Sequence, residues 1–464
     1  MRVHLASESA LQRTQMIASH ELSDTALAQR AQTLLRLTLD RLSMVRAFHV
    51  FVLALALHLS GFALRHGREL FTENLRTGVT LAEKGYLGDP FMIPTGPTGH
   101  LAPAYPVVVS AVYRLTGEMG DARSVLELIC AVVASFATAL LVPLARFLRL
   151  PPGSGALAGL FWSAPLFALV ELSAEHETVF SAAAVVALMT IAARRLDTRT
   201  LRMRDGAVLG ALTGIAVHFT PLVLSMMVLG IGASILAQRG RMRVRLAFPI
   251  AFALALAVVV APYTVRNWRV MGSPFFIRDN FGLEIAVSNA DNAKATAEEN
   301  ILRGSAMDTH PFKSIEAARQ VRSMGEVAYN RMRLREGWSW IRAHPDRFFA
   351  LTAERTGFLL VPASHRPLQR MLTLLIAAGY FLGVIMLWRA GNRMAAALLV
   401  GTVLGYDALY PFVQHDVRYV YPMLRVQSLG AAAIAATVLA RLAAWRPAEA
   451  LEGDRSPAPQ GVLA

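Results

Sequence analysis

Apolar residues in this chain come in long unbroken runs bounded by arginine, neither in the two-residue alternation of a half-buried strand nor in a narrow helical stripe. The runs are Phe48–Leu64, Val125–Phe147, Gly155–Val170, Val179–Ala193, Gly206–Pro221, Leu222–Ala237, Leu246–Pro262, Met371–Trp388, Met394–Pro411 and Val426–Leu442. Each is long enough to cross most or all of a hydrocarbon layer as a helix. Continuous runs argue against a β-barrel, whose strands alternate between lipid and lumen. The pattern therefore predicts an all-α polytopic membrane protein with about ten transmembrane helices. The fifth and sixth runs are short and meet at Thr220-Pro221, the mark of a broken hairpin that stops short of a full crossing.

Arginine placement orients the spans. Clusters lie at Arg146/Arg149, Arg194/Arg195/Arg199/Arg202/Arg204, Arg239/Arg241/Arg243/Arg245, Arg389/Arg393 and Arg441/Arg446. Short basic segments of this kind sit on the cytoplasmic side, which puts both termini inside. Two long segments then fall outside, Arg65–Ser124 and Tyr263–Gln369, with shorter outside turns at Glu171–Thr178 and Gln414–Pro422. Three regions result: a cytoplasmic amphipathic segment (1–46), a transmembrane domain (47–442) and a disordered cytoplasmic tail (443–464). In the first, Ser23/Asp24 caps a helix with an apolar stripe at Leu27, Ala31, Leu34, Leu35 and Leu42.

Composition agrees with this picture. The chain has 464 residues, 55% of them hydrophobic, and a formal net charge of +14. Because so much of the positive charge sits at span ends, it reads as a topology signal and not as a nucleic-acid surface. The single cysteine, Cys130, lies in an apolar run, so neither a disulfide framework nor a cysteine metal cluster is expected.

The chemically suggestive residues gather on the outside face. Glu73 follows the first span closely, where a carboxylate is placed to take a proton from a hydroxyl, and Arg76 lies one helical turn on. A solvated salt bridge explains this pair equally well. Glu171, Glu175, His176 and Glu177 crowd the start of the fourth span, and Asp407 sits inside the ninth, where an ionisable group is costly. Arg266, Arg418 and His100 are cations at the same level, suited to a phosphate, though interfacial snorkelling serves Arg266 and Arg418 as well. His58 and His218 read as packing histidines. No HExxH pattern or other ligand spacing marks a metal site, and a divalent metal stays open as a cofactor.

Several phrases together resemble a known group. An acidic helix after the first span leads to LGDPF, then GPT and APAYP; later come APYTVRNW, RDNFGLE, His310-Pro311, Gly325-Glu326, AHPDRFFALTAER and HDVRY. In this order they resemble the GT-C superfamily of membrane glycosyltransferases, and within it the dolichyl-phosphate-mannose–protein-mannosyltransferase-like group, glycosyltransferase family 39 and its bacterial relatives. The resemblance runs from about Phe48 to Leu442. It implies a bacterial inner-membrane enzyme with a periplasmic active site and a large first outside loop. Its donor would be a sugar on a polyprenyl phosphate, and transfer to an acceptor hydroxyl would proceed with inversion. The acceptor, whether lipid, glycan or protein, is left open. On the matching positions Glu73 becomes the catalytic base and Glu177 a second acid. Arg266, Arg418 and His100 would hold the donor phosphate, while Arg76, Asn280, Glu284, Asp407 and His415 would support the site. The chain departs from the group at Thr72, where relatives carry an aspartate beside the glutamate, and near His100, where several carry a lysine. A transporter or lipid flippase, and an inactive GT-C-like subunit, are the alternatives.

Overall fold

The computed structural model describes residues 30–63, 72–163, 176–198, 200–238, 243–361 and 367–445. Within them the chain is almost entirely helical, with one two-stranded parallel pair, Thr200–Leu201 with Arg243–Val244. The helices that match the apolar runs are α2 (Ala47–Ala63), α5 (Met119–Phe147), α6 (Ser154–Ser163), α7 (His176–Leu196), α8 (Met203–Ala216), α9 (Val223–Ala237), α10 (Ala247–Met271), α17 (Pro367–Arg389), α18 (Arg393–Asp407) and α19 (Val417–Ala444). Helix α1 (Arg30–Met44) precedes them. Of the two long segments expected outside, and named the outside segments for that expectation, the first carries α3 (Glu73–Lys84) and α4 (Ala104–Thr116), and the second carries α11 to α16, from Phe281 to Leu360.

Six of these helices are long and apolar enough to cross a membrane: α5, α7, α10, α17, α19, and α18 extended through the 3-10 turn to Phe412. A seventh is reached if the bent pair Arg30–Met44 and Ala47–Ser60 is taken as one span. Among the described residues, six or seven of the ten expected spans are thus supported; two of the other runs fall short in length. Helices α8 and α9 have 14 and 15 residues. At 1.5 Å per residue they reach only about 21–23 Å, against a hydrocarbon thickness of about 30 Å. They form the expected hairpin, turning at Val217–Leu222. In the last run the helix starts at Val417, nine residues before the predicted Val426, so the HDVRY phrase leads directly into α19. The run Gly155–Val170 is helical over Ser154–Ser163 and then leaves the described residues.

The arginine-bearing ends meet at one face. Arg149 pairs with Asp197 at 2.5 Å and Arg195 with Asp205 at 3.0 Å. Asn392 donates to the carbonyl oxygens of Leu148 and Arg149, and Arg36 to that of Ala443. The opposite ends are joined just as tightly. The turn of the α8–α9 hairpin accepts the Ala104 amide on the His218 carbonyl, and Thr220 lies 3.4 Å from the Tyr406 hydroxyl. Helix α1 meets α2 at 92°, the angle expected of a helix lying along a membrane surface beside a span. Its protein-facing residues are Leu35, Leu39 and Leu42; Leu34, assigned to the same stripe from sequence, points away and is 64% exposed. Ser23, Asp24 and Leu27 lie outside the described residues.

The core runs through α5, α7, α18 and α19, with Trp162, Leu141, Leu144, Val185, Met189 and Leu429 almost fully enclosed. Cys130 and His58 are buried among these helices, His58 with Nδ1 2.7 Å from the Ala54 carbonyl, as expected of packing residues. His218 satisfies Nδ1 on the Gly214 carbonyl at 2.7 Å. Helix α8 carries Gly206, Gly210 and Gly214 at four-residue intervals, the small-residue spacing that lets two helices approach within a membrane. Helix α10 lies directly against them: a Cβ on Gly210 would stand 2.2 Å from the Phe252 carbonyl oxygen. Gly210→Ala is expected to force α8 from α10 and cost about 1–3 kcal/mol of stability. Thermal unfolding in detergent measures this. Gly232→Ala serves as the control, because no atom lies within 4 Å of its added Cβ; equal melting temperatures for the two variants would contradict the packing account.

Candidate functional site

Helix α3 starts the site. Thr72 is its N-cap, accepting the Leu75 amide on Oγ1 at 3.4 Å, and Gly85 ends it in the left-handed region at φ 79°. Glu73 is therefore the first residue of the helix, beside its positive dipole end. Its side chain is 21% exposed. Thr72 caps the helix through its hydroxyl and brings no charge.

The loop after α3 folds back as a tight hairpin between Leu87 and Thr98. Asp89, at φ 57°, organises it by accepting four hydrogen bonds, from Lys84 Nζ, the Tyr86 hydroxyl and the amides of Thr95 and Gly96. Phe91, 1% exposed, leaves this loop and enters the apolar core of the second outside segment among Leu283, Val287, Ala318, Val321 and Tyr329. Burying a phenylalanine contributes about 1.5–3 kcal/mol, so the two outside segments are one folded body.

His100 closes the loop over Glu73. Its Nε2 is 3.3 Å from Glu73 Oε1, and the ring is buried. The second outside segment holds this stretch from several directions. Glu326, the first residue of α15 (Glu326–Ala343), accepts the Thr98 hydroxyl at 2.6 Å and the Gly99 amide at 2.7 Å. Arg278 donates Nε to the His100 carbonyl at 2.8 Å, and the Asp279 amide donates to the Gly99 carbonyl. Arg266 gives Nη1 to the Thr98 carbonyl at 2.9 Å and Nη2 to that of Leu87 at 3.1 Å.

A second imidazole arrives from the far segment. His310 follows α13 (Ala306–Thr309) and brings Nδ1 to 4.0 Å from Glu73 Oε1. The same nitrogen accepts the Phe312 amide at 3.2 Å. Phe91 packs edge-on against both imidazoles. Glu73, His100 and His310 thus offer three ligand atoms within 4.8 Å of one another, and they are the residues suited to hold a metal ion here.

The electrostatics follow from burial and pairing. Burial opposes ionisation of Glu73, yet the charge and hydrogen bond of His100, with His310 and Arg418 beyond, bring it down to about 2. Burial likewise opposes protonation of His100, but Glu73 outweighs it and raises the imidazole above its ordinary value. Burial lowers His310, leaving it neutral near pH 7. Burial raises Glu326 and lifts Asp279 to about 6. The site therefore contains an ionised carboxylate that favours a proton on the His100 ring, with a second imidazole, His310, whose proton burial disfavours.

Glu177, at the start of α7, joins from the other side. Asn74 donates Nδ2 to Glu177 Oε2, and Arg418 lies 3.9 Å from Glu177 Oε1 and 3.2 Å from Asp416. Glu73, His100, Glu177 and Arg418 thus share one locality, at the end of the bundle opposite the arginine clusters. Asn280 donates to Glu284 at 3.2 Å, and the Glu284 charge reaches both His310 and Tyr419. Other expected residues serve elsewhere. Arg266 spends its donors on loop carbonyls, so it braces the first loop where a phosphate contact was expected. Arg76, expected to orient Glu73, gives Nη1 to the Phe91 carbonyl at 2.8 Å and stacks over Phe312. Asp407 is buried near the end of α18, with Oδ1 unpartnered among the described residues. The backbone of His415 bridges to Ala295 and Ala297, while its buried ring, lowered to about 4 by burial, lies against Phe358. Glu171 and Glu175 lie outside the described residues.

Sequence reasoning quoted His310, Glu326, Asp89 and Arg278 only within the phrases that carry the resemblance and gave no role to them or to Asn74. The signals were short: Asp89 stands before a proline in a turn, Glu326 follows a glycine at φ 85°, and His310 precedes Pro311. No protein-family model, no curated protein and no solved structure matches the chain.

Arg266→Ala is expected to loosen the first loop in the protein alone, with no substrate present. Hydrogen exchange of the amides between Leu87 and Gly99 should accelerate about tenfold or more, since a charged hydrogen bond contributes about 1.5–3 kcal/mol. Unchanged exchange there would return Arg266 to the pool of free cations.

Proposed function

We propose that the protein is an inverting membrane glycosyltransferase that moves a sugar from a polyprenyl-phosphate donor to an acceptor hydroxyl. In this reading it lies in the bacterial inner membrane with Glu73 facing the periplasm. The observation that carries the proposal is the position of Glu73. It is an ionised carboxylate at the start of a surface helix, paired to His100, with Glu177 and Arg418 across from it. All four stand at the membrane end where the two outside segments meet.

The chemistry asks for these groups. The acceptor hydroxyl loses its proton to Glu73 as its oxygen attacks the anomeric carbon, and the bond from that carbon to the phosphate oxygen breaks on the opposite face. An ionised carboxylate is free to take this proton as the new bond forms, when the attacking oxygen becomes acidic. Charge grows on the departing phosphate, and Arg418 and the His100 imidazolium supply positive potential for it. Arg418 already shares its charge with Glu177 and Asp416, so a bound phosphate competes with those acids. Glu177, held by Asn74, is placed to orient the acceptor.

Glu73→Gln keeps the shape of the side chain and removes its capacity to accept a proton. Transfer of labelled sugar from a polyprenyl-phosphate donor in membranes should fall by about 100-fold or more, in a protein that still inserts and folds, its melting lowered only by the lost pairing with His100. Wild-type transfer rates in a folded Glu73→Gln protein would remove the base assignment.

A further inference from the structure

We propose that Glu73, His100 and His310 form a binding site for one divalent transition-metal ion of the zinc class. The assignment rests on the donor geometry and needs no glycosyl transfer. The three side chains come from separate parts of the chain, namely α3, the loop before α4 and the second outside segment. Their ligand atoms nevertheless converge within 4.8 Å of one another. Metal–ligand bonds of about 2.1 Å at tetrahedral angles put neighbouring donor atoms about 3.4 Å apart. The Glu73–His100 separation of 3.3 Å already has that value. The Glu73–His310 separation of 4.0 Å has to close by about 0.6 Å.

The donor types choose the ion. Two imidazoles and one carboxylate favour zinc and its first-row neighbours over magnesium or calcium, which prefer all-oxygen shells. Three protein ligands leave a fourth position open, as in catalytic zinc sites. The surroundings hold the ligands in place. The Thr98 hydroxyl accepts the His100 amide at 3.0 Å, Arg278 holds the His100 carbonyl, and Glu326 holds the residues before it. Glu73 Oε1 is buried and faces the ring nitrogens of His100 and His310, so an ion bound there would stand between the carboxylate and both imidazoles. The cost is the proton on His100 Nε2, which coordination there displaces to solvent, and the contact between the Phe312 amide and His310 Nδ1, which coordination through that nitrogen displaces. The ion takes Oε1 and leaves the second carboxylate oxygen for an acceptor. It also brings two positive charges to a site whose nearest arginines are engaged, Arg266 by carbonyls and Arg418 by acids.

The test uses the full-length protein in detergent, stripped with a chelator and titrated with zinc by calorimetry. One ion per chain is expected. His100→Ala and His310→Ala should each weaken binding at least about tenfold, while the exposed His344→Ala leaves it unchanged. Equal affinity in all four proteins, or well under one ion per chain, would overturn the site. If either histidine variant fails to fold, cobalt bound to the wild type decides. Visible absorption of a tetrahedral ion, with two imidazoles seen by X-ray absorption, is expected; an all-oxygen octahedral spectrum would overturn the proposal. Because both readouts are binding measurements, loss of the metal site and loss of the transferase reading are distinguishable.

Discussion

The contact between Glu73 and His100 is the interaction on which the outer half of this protein depends. A carboxylate withdrawn from water tends to take up a proton, because burial penalises its charged form. Glu73 stays ionised because the His100 ring lies 3.3 Å away, with His310 and Arg418 beyond it, and the first turn of α3 adds a favourable dipole. Glu73 in turn favours a proton on His100 against the burial that opposes it. Each group supports the charge of the other, and the loop joining them must have the shape that brings them together.

That shape is imposed from a distance. Four residues of the second outside segment, or of the helix leading into it, grip the stretch from Leu87 to His100 through its backbone or hydroxyl: Arg266, Arg278, Asp279 and Glu326. Phe91 fastens the same loop into the second segment's apolar core. The two long segments therefore fold as one lid-like layer over the bundle, and His310 reaches Glu73 as a consequence. Below, the chain runs between an end where arginines pair with Asp197 and Asp205 and an end where Glu177 and Arg418 join the site. Positive charge with its partners at one end and a mixed ionic cluster at the other follow directly from how the helices alternate.

Much of this was legible beforehand, at the scale of elements. Helical membrane architecture, the arginine-bearing face, the α8–α9 hairpin and the placement of Glu73, His100, Glu177 and Arg418 on one face all follow from run lengths and charge positions. The full count of ten spans is not reached among the described residues, in part because hydrophobic run length overstates helix length where Pro221 and the turn before it intervene. The glycine ladder of α8 was readable but is visible as an interface only once α10 is in place. His310 was out of reach for a different reason. Its partner Glu73 lies more than 200 positions earlier, and no local spacing encodes a contact that the folding of the second segment creates. Arg266 misled in the opposite sense: an arginine at a span end suits a phosphate, and only the carbonyls of Leu87 and Thr98 reveal its bracing use.

The central claim is that Glu73 and His100 favour each other's charged forms because they are paired. A double-mutant cycle tests it most directly, comparing the unfolding free energies of the wild type, Glu73→Gln, His100→Gln and the double variant. The account predicts strong non-additivity, with a coupling energy of about 0.5–3 kcal/mol favouring the pair. Additive effects, within about 0.3 kcal/mol, would contradict it.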